Sequence, residues 1–246
     1  MKAKTHGMIV ALIWAAATAV GVVLARSVGI LPSPASYEAH VIDSAMTLLT
    51  VLSVPVFMLV VVLVPYSMLM FGRSGEPEED GPPIEGHHTI EVLWIGITSA
   101  LVLFLAGYGA VGLTEIRTHA AGEQQLVVQA QGSRWFWEFT YPEQSIRTKE
   151  ELVLPVGRPV RFEVTATDVV HSFWVPAFRM KIDAVPGMVT TVHVTPDQTG
   201  TYRDDFHFRV QCAELCGLAH ANMTVPVTVM EQRQFDAWVA QKIASR

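Results

Sequence analysis

The chain has 246 residues and a mass of 27.0 kDa. Hydrophobic residues make up 50% and charged residues only 16%, with a mean hydropathy of +0.34, whereas soluble domains carry about a quarter charged residues. A net charge of −6 offers no cationic surface to nucleic acid, the apolar content excludes a disordered chain, and two cysteines are too few for a disulfide scaffold.

The apolar residues are segregated. Residues 8–25, 44–72 and 92–114 contain no charge, and each run reaches the roughly 17–25 residues that cross a hydrocarbon core as a helix. Leu, Ile, Val and Phe each favour insertion by about 0.3–0.6 kcal/mol, against about 2.5–3.5 for one central charge. A transmembrane hairpin is therefore expected over 41–115, with spans at about 44–72 and 91–114. Pro55 and Pro65 fall inside the first of these, where a membrane helix tolerates them. Residues 1–31 read either as a secretory signal, with Lys2 and Lys4 ahead of the apolar run, or as a retained first span. Both readings leave Lys2 and Lys4 in the cytoplasm, so by parity everything after about Glu115 lies outside it. The intervening loop 73–88 is acidic (Glu76, Glu78, Glu79, Asp80, Glu85), so parity and not positive charge sets the orientation.

Beyond this the pattern changes. Short β-branched and aromatic runs at 125–130, 135–141, 160–166, 189–195 and 225–230 alternate with turn signals such as Pro186-Gly187. Many short strands at this spacing indicate a β-sandwich or barrel, expected over 121–231. Phe235, Trp238 and Val239 recur at helical spacing, which predicts a closing helix within 232–246.

The chemistry is concentrated between Gln211 and Met223. Cys212, Cys216, His220 and Met223 supply two thiols, an imidazole and a thioether, and His171 lies upstream. Thiolate, thioether and imidazole suit copper better than calcium or magnesium, and structural zinc sites seldom recruit methionine. A mononuclear blue site needs a single cysteine, so either one thiol is idle or two metals share both. Outside the cytoplasm the pair could also close as a disulfide.

The joint pattern resembles a known family. Asp168-Val169-Val170-His171-Ser172-Phe173-Trp174-Val175-Pro176, Lys181-Ile182-Asp183-Ala184-Val185-Pro186-Gly187 and the stretch Gln211 to Met223 are similar to subunit II of cytochrome c oxidase. The resemblance implies a membrane-anchored all-β protein, N-terminal transmembrane helices followed by a cupredoxin-like Greek-key sandwich or barrel. It also implies the binuclear copper centre called CuA. Cys212 and Cys216 would bridge both coppers, His171 and Met223 would complete one, and His220 with the backbone carbonyl of Glu214 the other. The Glu214 side chain would face a magnesium or manganese ion shared with subunit I. Gly132-Ser133-Arg134-Trp135-Phe136-Trp137-Glu138 resembles the family's aromatic segment, which makes Trp135 the point where electrons arrive. Glu91 would stand at the entrance of a proton path into subunit I.

The implied role is to take electrons from cytochrome c and pass them to haem in subunit I, where oxygen becomes water and protons are pumped. The implied partners are cytochrome c, subunits I and III and the lipid bilayer, with no nucleic acid. The implied location is the cell inner (plasma) membrane with the copper domain periplasmic. From Glu123 onward there are 14 acids and 12 bases, a net of −2 (12 − 14), so docking needs local clustering, for which Glu138, Asp168 and Asp183 are the candidates. The run from Tyr202 to Gln211 is longer than the family's, which leaves the strand register there open. A nitric oxide reductase subunit of the same copper type fits the chain equally. A C-x3-C copper chaperone or thiol reductase fits less well, because His171 precedes the cysteines and the surroundings read as strand.

Overall fold

The computed structural model describes residues 3–29, 31–72, 85–120 and 124–245. The acidic residues expected at 76–80 lie outside them. The chain forms two compact units, 1–30 with 44–111, and 31–43 with 112–246.

Among the described residues, three helices are long and apolar enough to cross a membrane: α1 (Ala3–Ser27), α2 (Tyr37–Phe71) and α3 (His88–Ala120). In the first unit α1 runs along α2 through specific contacts. Gly21 lies so close to α2 that a Cβ there would come within 2.7 Å of Val54 Cγ1. Trp14 donates its indole N–H to the carbonyl of Pro55 at 2.8 Å, and His6 Nδ1 lies 2.8 Å from the Tyr66 hydroxyl. Small residues at close crossings and partnered polar groups are what helix packing in lipid requires.

The second unit is a two-sheet sandwich. Its strands are β1 (Leu126–Ser133), β2 (Phe136–Tyr141), β3 (Ile146–Thr148), β4 (Leu152–Pro155), β5 (Val160–Ala166), β6 (His171–Val175), β7 (Met180–Ala184), β8 (Thr190–Val194), β9 (Gly200–Thr201), β10 (Arg209–Cys212) and β11 (Thr224–Met230). One sheet has the order β3-β2-β1-β5-β8 and the other β4-β11-β10-β6-β7, with β9 also on β11. The β1–β5 and β11–β4 pairs are parallel and the rest antiparallel. Inward residues alternate along the longer strands, as in Leu126, Val128 and Ala130 of β1 and Phe162 and Val164 of β5, and meet in one core.

The alternation identifies β1, β2, β5, β8 and β11 directly. β4 and β6 are short and nearly all buried, so they carry no period-two signal, and β10 is only four residues long; His171 opens β6. α4 (Gln232–Ala244) closes the sandwich, with Phe235 buried and Trp238 donating to Glu151 Oε1 at 3.0 Å. The segment 31–43 is laced to the same unit: Ala35 N–H donates to Ala177, Tyr37 N–H to Thr195, and Arg179 grips both oxygens of Asp43 at 2.7 and 2.8 Å.

Tyr141 joins the two sheets. Its hydroxyl donates to the Val153 carbonyl and accepts from the Val153 N–H, both at 2.9 Å, and burial pushes its pKa well above the usual tyrosine value. Tyr141→Phe leaves both backbone groups of a buried strand without partners. The variant is expected to lose about 1–3 kcal/mol, read as an earlier denaturant midpoint of the near-ultraviolet signal of the solubilised full chain.

Candidate metal centre

The register brings three strand ends together. Cys212, the last residue of β10, pairs with Phe173 of β6, and Gln211 pairs with Thr224 of β11. His171, two residues before Phe173, and Met223, just ahead of β11, therefore flank Cys212. Phe173, Val210 and Val225 point into the core, and by alternation so do His171, Cys212 and Met223. The donor residues thus form the end layer of the hydrophobic core. In the facing sheet this level is occupied by Gly132, where a Cβ would lie 3.1 Å from His171 Cδ2 and 3.2 Å from the Trp137 ring.

The connection from Cys212 to β11 folds back over this layer. Cys212 N–H donates to the Met223 carbonyl at 3.1 Å and Ala213 N–H to the Ser172 carbonyl at 3.0 Å, so the loop is pinned at both ends. Gly217 takes φ +120°, which a side chain rarely adopts, and a 3-10 turn (His220–Asn222) returns the chain to Met223.

The result is a ring of soft donors. Cys212 Sγ lies 3.8 Å from His171 Nδ1, 3.2 Å from the Glu214 carbonyl oxygen and 3.7 Å from Cys216 Sγ. Cys216 Sγ lies 3.6 Å from His220 Nδ1 and 3.9 Å from Met223 Sδ. Both cysteines are free, and a disulfide would need the sulfurs at about 2.05 Å. A metal–thiolate bond of about 2.3 Å lets one ion reach two sulfurs up to about 4.6 Å apart. The 3.7 Å gap therefore fits thiolates shared between ions, and the donor set is the soft one that copper prefers.

The electrostatics agree with a cation there. Burial, together with the hydrogen bond and charge of Cys212, pushes the Cys216 thiol up to about 11. Without metal the Cys216 thiol keeps its proton, and a bound cation displaces it. His171 Nε2 lies 2.9 Å from Asp168 Oδ1, which fixes the ring and leaves Nδ1 for the sulfurs. Burial alone would raise the Asp168 pKa. Hydrogen bonds from His171, the Arg134 and Val169 N–H groups and the Arg134 side chain outweigh it and hold the carboxyl far below the usual range.

The other expected residues are spread more widely. Trp135 sits at the tip of the β1–β2 hairpin and donates its indole N–H to the Cys216 carbonyl at 3.3 Å, its ring lying against Gly217. The Glu214 side chain is exposed. Glu91 belongs to the first unit, where its Oε1 accepts the His87 N–H at 2.9 Å and closes the first turn of α3. The long run after Thr201 forms a turn that re-enters the core at Phe208, whose ring packs on Gly200, and β10 pairs with β11 and β6 from Arg209 to Cys212. His207 pairs with Asp205 at 2.7 Å and His193 lies on β8 across from Arg161, so neither joins the ring of donors.

Sequence reasoning offered Asp168 as a docking acid, whereas its carboxylate is turned onto His171. The spacing Asp-x-x-His was the available signal. Gly132 was not singled out, because a glycine between strand residues says nothing about the ring it faces.

Fold and donor set together define a membrane-anchored cupredoxin-like domain with a soft-metal cluster of His171, Cys212 and Cys216. A family model described as "Cytochrome C oxidase subunit II, periplasmic domain" matches residues 144–230. Cytochrome c oxidase subunit 2 of Thermostichus vulcanus is 30% identical, over 88% of this chain and 79% of its own length. That of Synechocystis sp. is 29% identical, over 95% of this chain and 82% of its own. The periplasmic domain of subunit II from Bradyrhizobium japonicum aligns at 32% identity with a TM-score of 0.46, covering 50% of this chain and 96% of that domain. The chain belongs to the cytochrome c oxidase subunit II family, as a membrane-anchored protein with an extracytoplasmic domain.

Gly132→Ala should press the His171 ring out of place. Copper affinity, measured by competition with a chelator, is expected to fall about tenfold or more with the β-sheet circular dichroism unchanged.

Proposed function

We propose that this chain is the electron-accepting subunit of a haem–copper oxidase. His171, Cys212, the Glu214 carbonyl, Cys216, His220 and Met223 would hold two copper ions. When bound, such a centre supplies a one-electron relay whose charge is spread over two metals. The chain's own residues keep that relay rigid and dry. Asp168 and Gly132 hold His171 in a single orientation, Cys212 and Met223 fix each end of the loop by a backbone hydrogen bond, and the core excludes water from the inner donors. Trp135, bonded to the Cys216 carbonyl, is the surface group through which electrons from a c-type cytochrome arrive. They leave toward haem in subunit I, where oxygen is reduced and protons are pumped. The exposed Glu214 side chain is available to a magnesium or manganese ion at that junction. Glu91 would open the proton path from the cytoplasmic side of an inner-membrane complex that includes subunit III. The observation that carries this reading is two unlinked sulfurs 3.7 Å apart among four further donor atoms.

The test is spectroscopic. The purified full chain should take up two copper ions, turn purple, and give an electron paramagnetic resonance signal from one electron shared by two copper nuclei. Cys216→Ser should abolish that signal, and Met223→Leu should keep it while shifting the potential. A cystine in the metal-replete protein, or an unchanged spectrum in Cys216→Ser, would end the reading.

We also read α1 as a retained span and not a cleaved leader, because its Trp14, Gly21 and His6 make matched contacts with α2. Intact-mass measurement of the membrane-extracted protein should find residues 1–31 present, and a mass lacking them would refute this.

A further inference from the structure

The segment 31–43 is joined to the β3-β2-β1-β5-β8 sheet at the end of β8. Arg161 of β5 pairs with His193 of β8, and both alternate with the core residues Val160, Phe162 and Val194, so both face outward. Thr195, two residues beyond His193, continues that face. The segment is bonded to it twice: Tyr37 N–H donates to the Thr195 carbonyl at 3.0 Å, and Thr195 N–H donates to Glu38 Oε2 at 2.9 Å. Ser36 also forms a bridge to Pro196, and Asp197 N–H donates to the Ala35 carbonyl at 3.2 Å. Glu38 and Thr195 are left only 2% and 7% exposed.

Four polar atoms at this junction are buried with no partner among the described residues: Glu38 Oε1, Thr195 Oγ1, His193 Nδ1 and Arg161 Nε. Such orphans are rare and costly, so four of them on neighbouring side chains call for a ligand. The charged groups already have one arm engaged, Glu38 Oε2 by Thr195 and Arg161 Nη2 by Glu163 Oε1 at 2.9 Å. Burial and the charge of Arg161 push the His193 pKa below the usual imidazole value, against the pull of Glu38. The ring is therefore neutral, and its Nδ1 can accept or donate.

The four atoms together define what fits among them. Glu38 Oε1 only accepts a hydrogen bond and Arg161 Nε only donates one, while Thr195 Oγ1 and His193 Nδ1 can do either. A metal cation would be opposed by the Arg161 guanidinium, and an anion by the Glu38 carboxylate. A water that gives its protons to Glu38 Oε1 and His193 Nδ1, and accepts from Thr195 and Arg161, satisfies all four.

We infer that an ordered water is bound between Glu38, Thr195, His193 and Arg161, and that it fastens the segment 31–43 to the outer face of the sheet. Backbone bonds fix the segment along the end of β8, and the water links its Glu38 side chain to the side chains of β5 and β8.

The test uses the full chain in detergent and metal-free buffer. Its structure is determined at a resolution that shows ordered solvent, with and without added zinc or calcium as probes. A water should lie within hydrogen-bond distance of Glu38 Oε1 and Thr195 Oγ1 in every preparation. It should also remain in Glu38→Gln, whose amide oxygen still accepts. Thr195→Val removes one partner of the water and leaves the backbone bonds of residue 195 in place. Hydrogen exchange read by mass spectrometry should quicken about tenfold over 31–43 in that variant, with β1 and β2 unchanged, and Thr195→Ser should restore the slow rate. A metal ion at the site, loss of the water in Glu38→Gln, no ordered solvent there, or unaltered exchange in Thr195→Val would overturn the inference. If Thr195→Val does not fold, the solvent seen in the unaltered chain and in Glu38→Gln decides.

Discussion

Everything at the metal centre depends on two sulfurs being brought to 3.7 Å and kept from joining. Residues four apart on a free loop would close readily into a cystine. Here Cys212 is the end of a β-strand with its side chain committed to the core, and its N–H is held by Met223. Cys216 is delivered by a loop whose path is set by Gly217 at positive φ and by the turn at His220–Asn222. The imidazoles of His171 and His220 and the thioether of Met223 lie against the two sulfurs on different sides. That environment favours a cation over a covalent bond between the thiols, since a cation satisfies every donor at once.

The same economy explains why the site is built into the core. Buried inward positions on β6, β10 and β11 are filled lower down by Phe173, Val210 and Val225, each fixed by packing. Continuing the alternation one step places His171, Cys212 and Met223 in equally fixed positions. Such rigidity normally comes from filling space, and here it is transferred to ligand atoms. The cost is a layer that must admit an imidazole, and Gly132 in the opposite sheet makes the room. Asp168 then completes the arrangement by taking up the second nitrogen of His171, which a buried ring cannot leave without a partner.

The sequence makes part of this legible. Uncharged runs of membrane length, strands with one solvated face, and the Cys-x3-Cys-x3-His-x2-Met spacing can be read because each is a local pattern. β4 and β6 are not readable in this way, since a short strand buried on both faces has no alternation to show. The inward turn of Glu138 is likewise invisible. A carboxylate's direction depends on which cation the register places opposite it, and Arg147 reaches Glu138 only once β3 has paired with β2. No local pattern in 31–43 announces its bonds to Ala177, Thr195 and Arg179, which span more than a hundred residues and depend on the finished sandwich.

In the proposed role, rigidity and an open surface answer different demands of one task. A group that gains and loses an electron needs surroundings that change little between the two states, and the buried, doubly anchored donors meet that demand. The protein that delivers the electron must arrive and depart quickly, which favours a small open contact over a deep interlocking one. Trp135 belongs to both requirements. Its indole N–H is fixed to the Cys216 carbonyl, while its ring remains exposed. The two-residue tip of the β1–β2 hairpin makes this possible, because it is short enough to be held by its strands and still projects beyond the sheet. One residue can therefore be part of the rigid interior on one side and of a transient interface on the other.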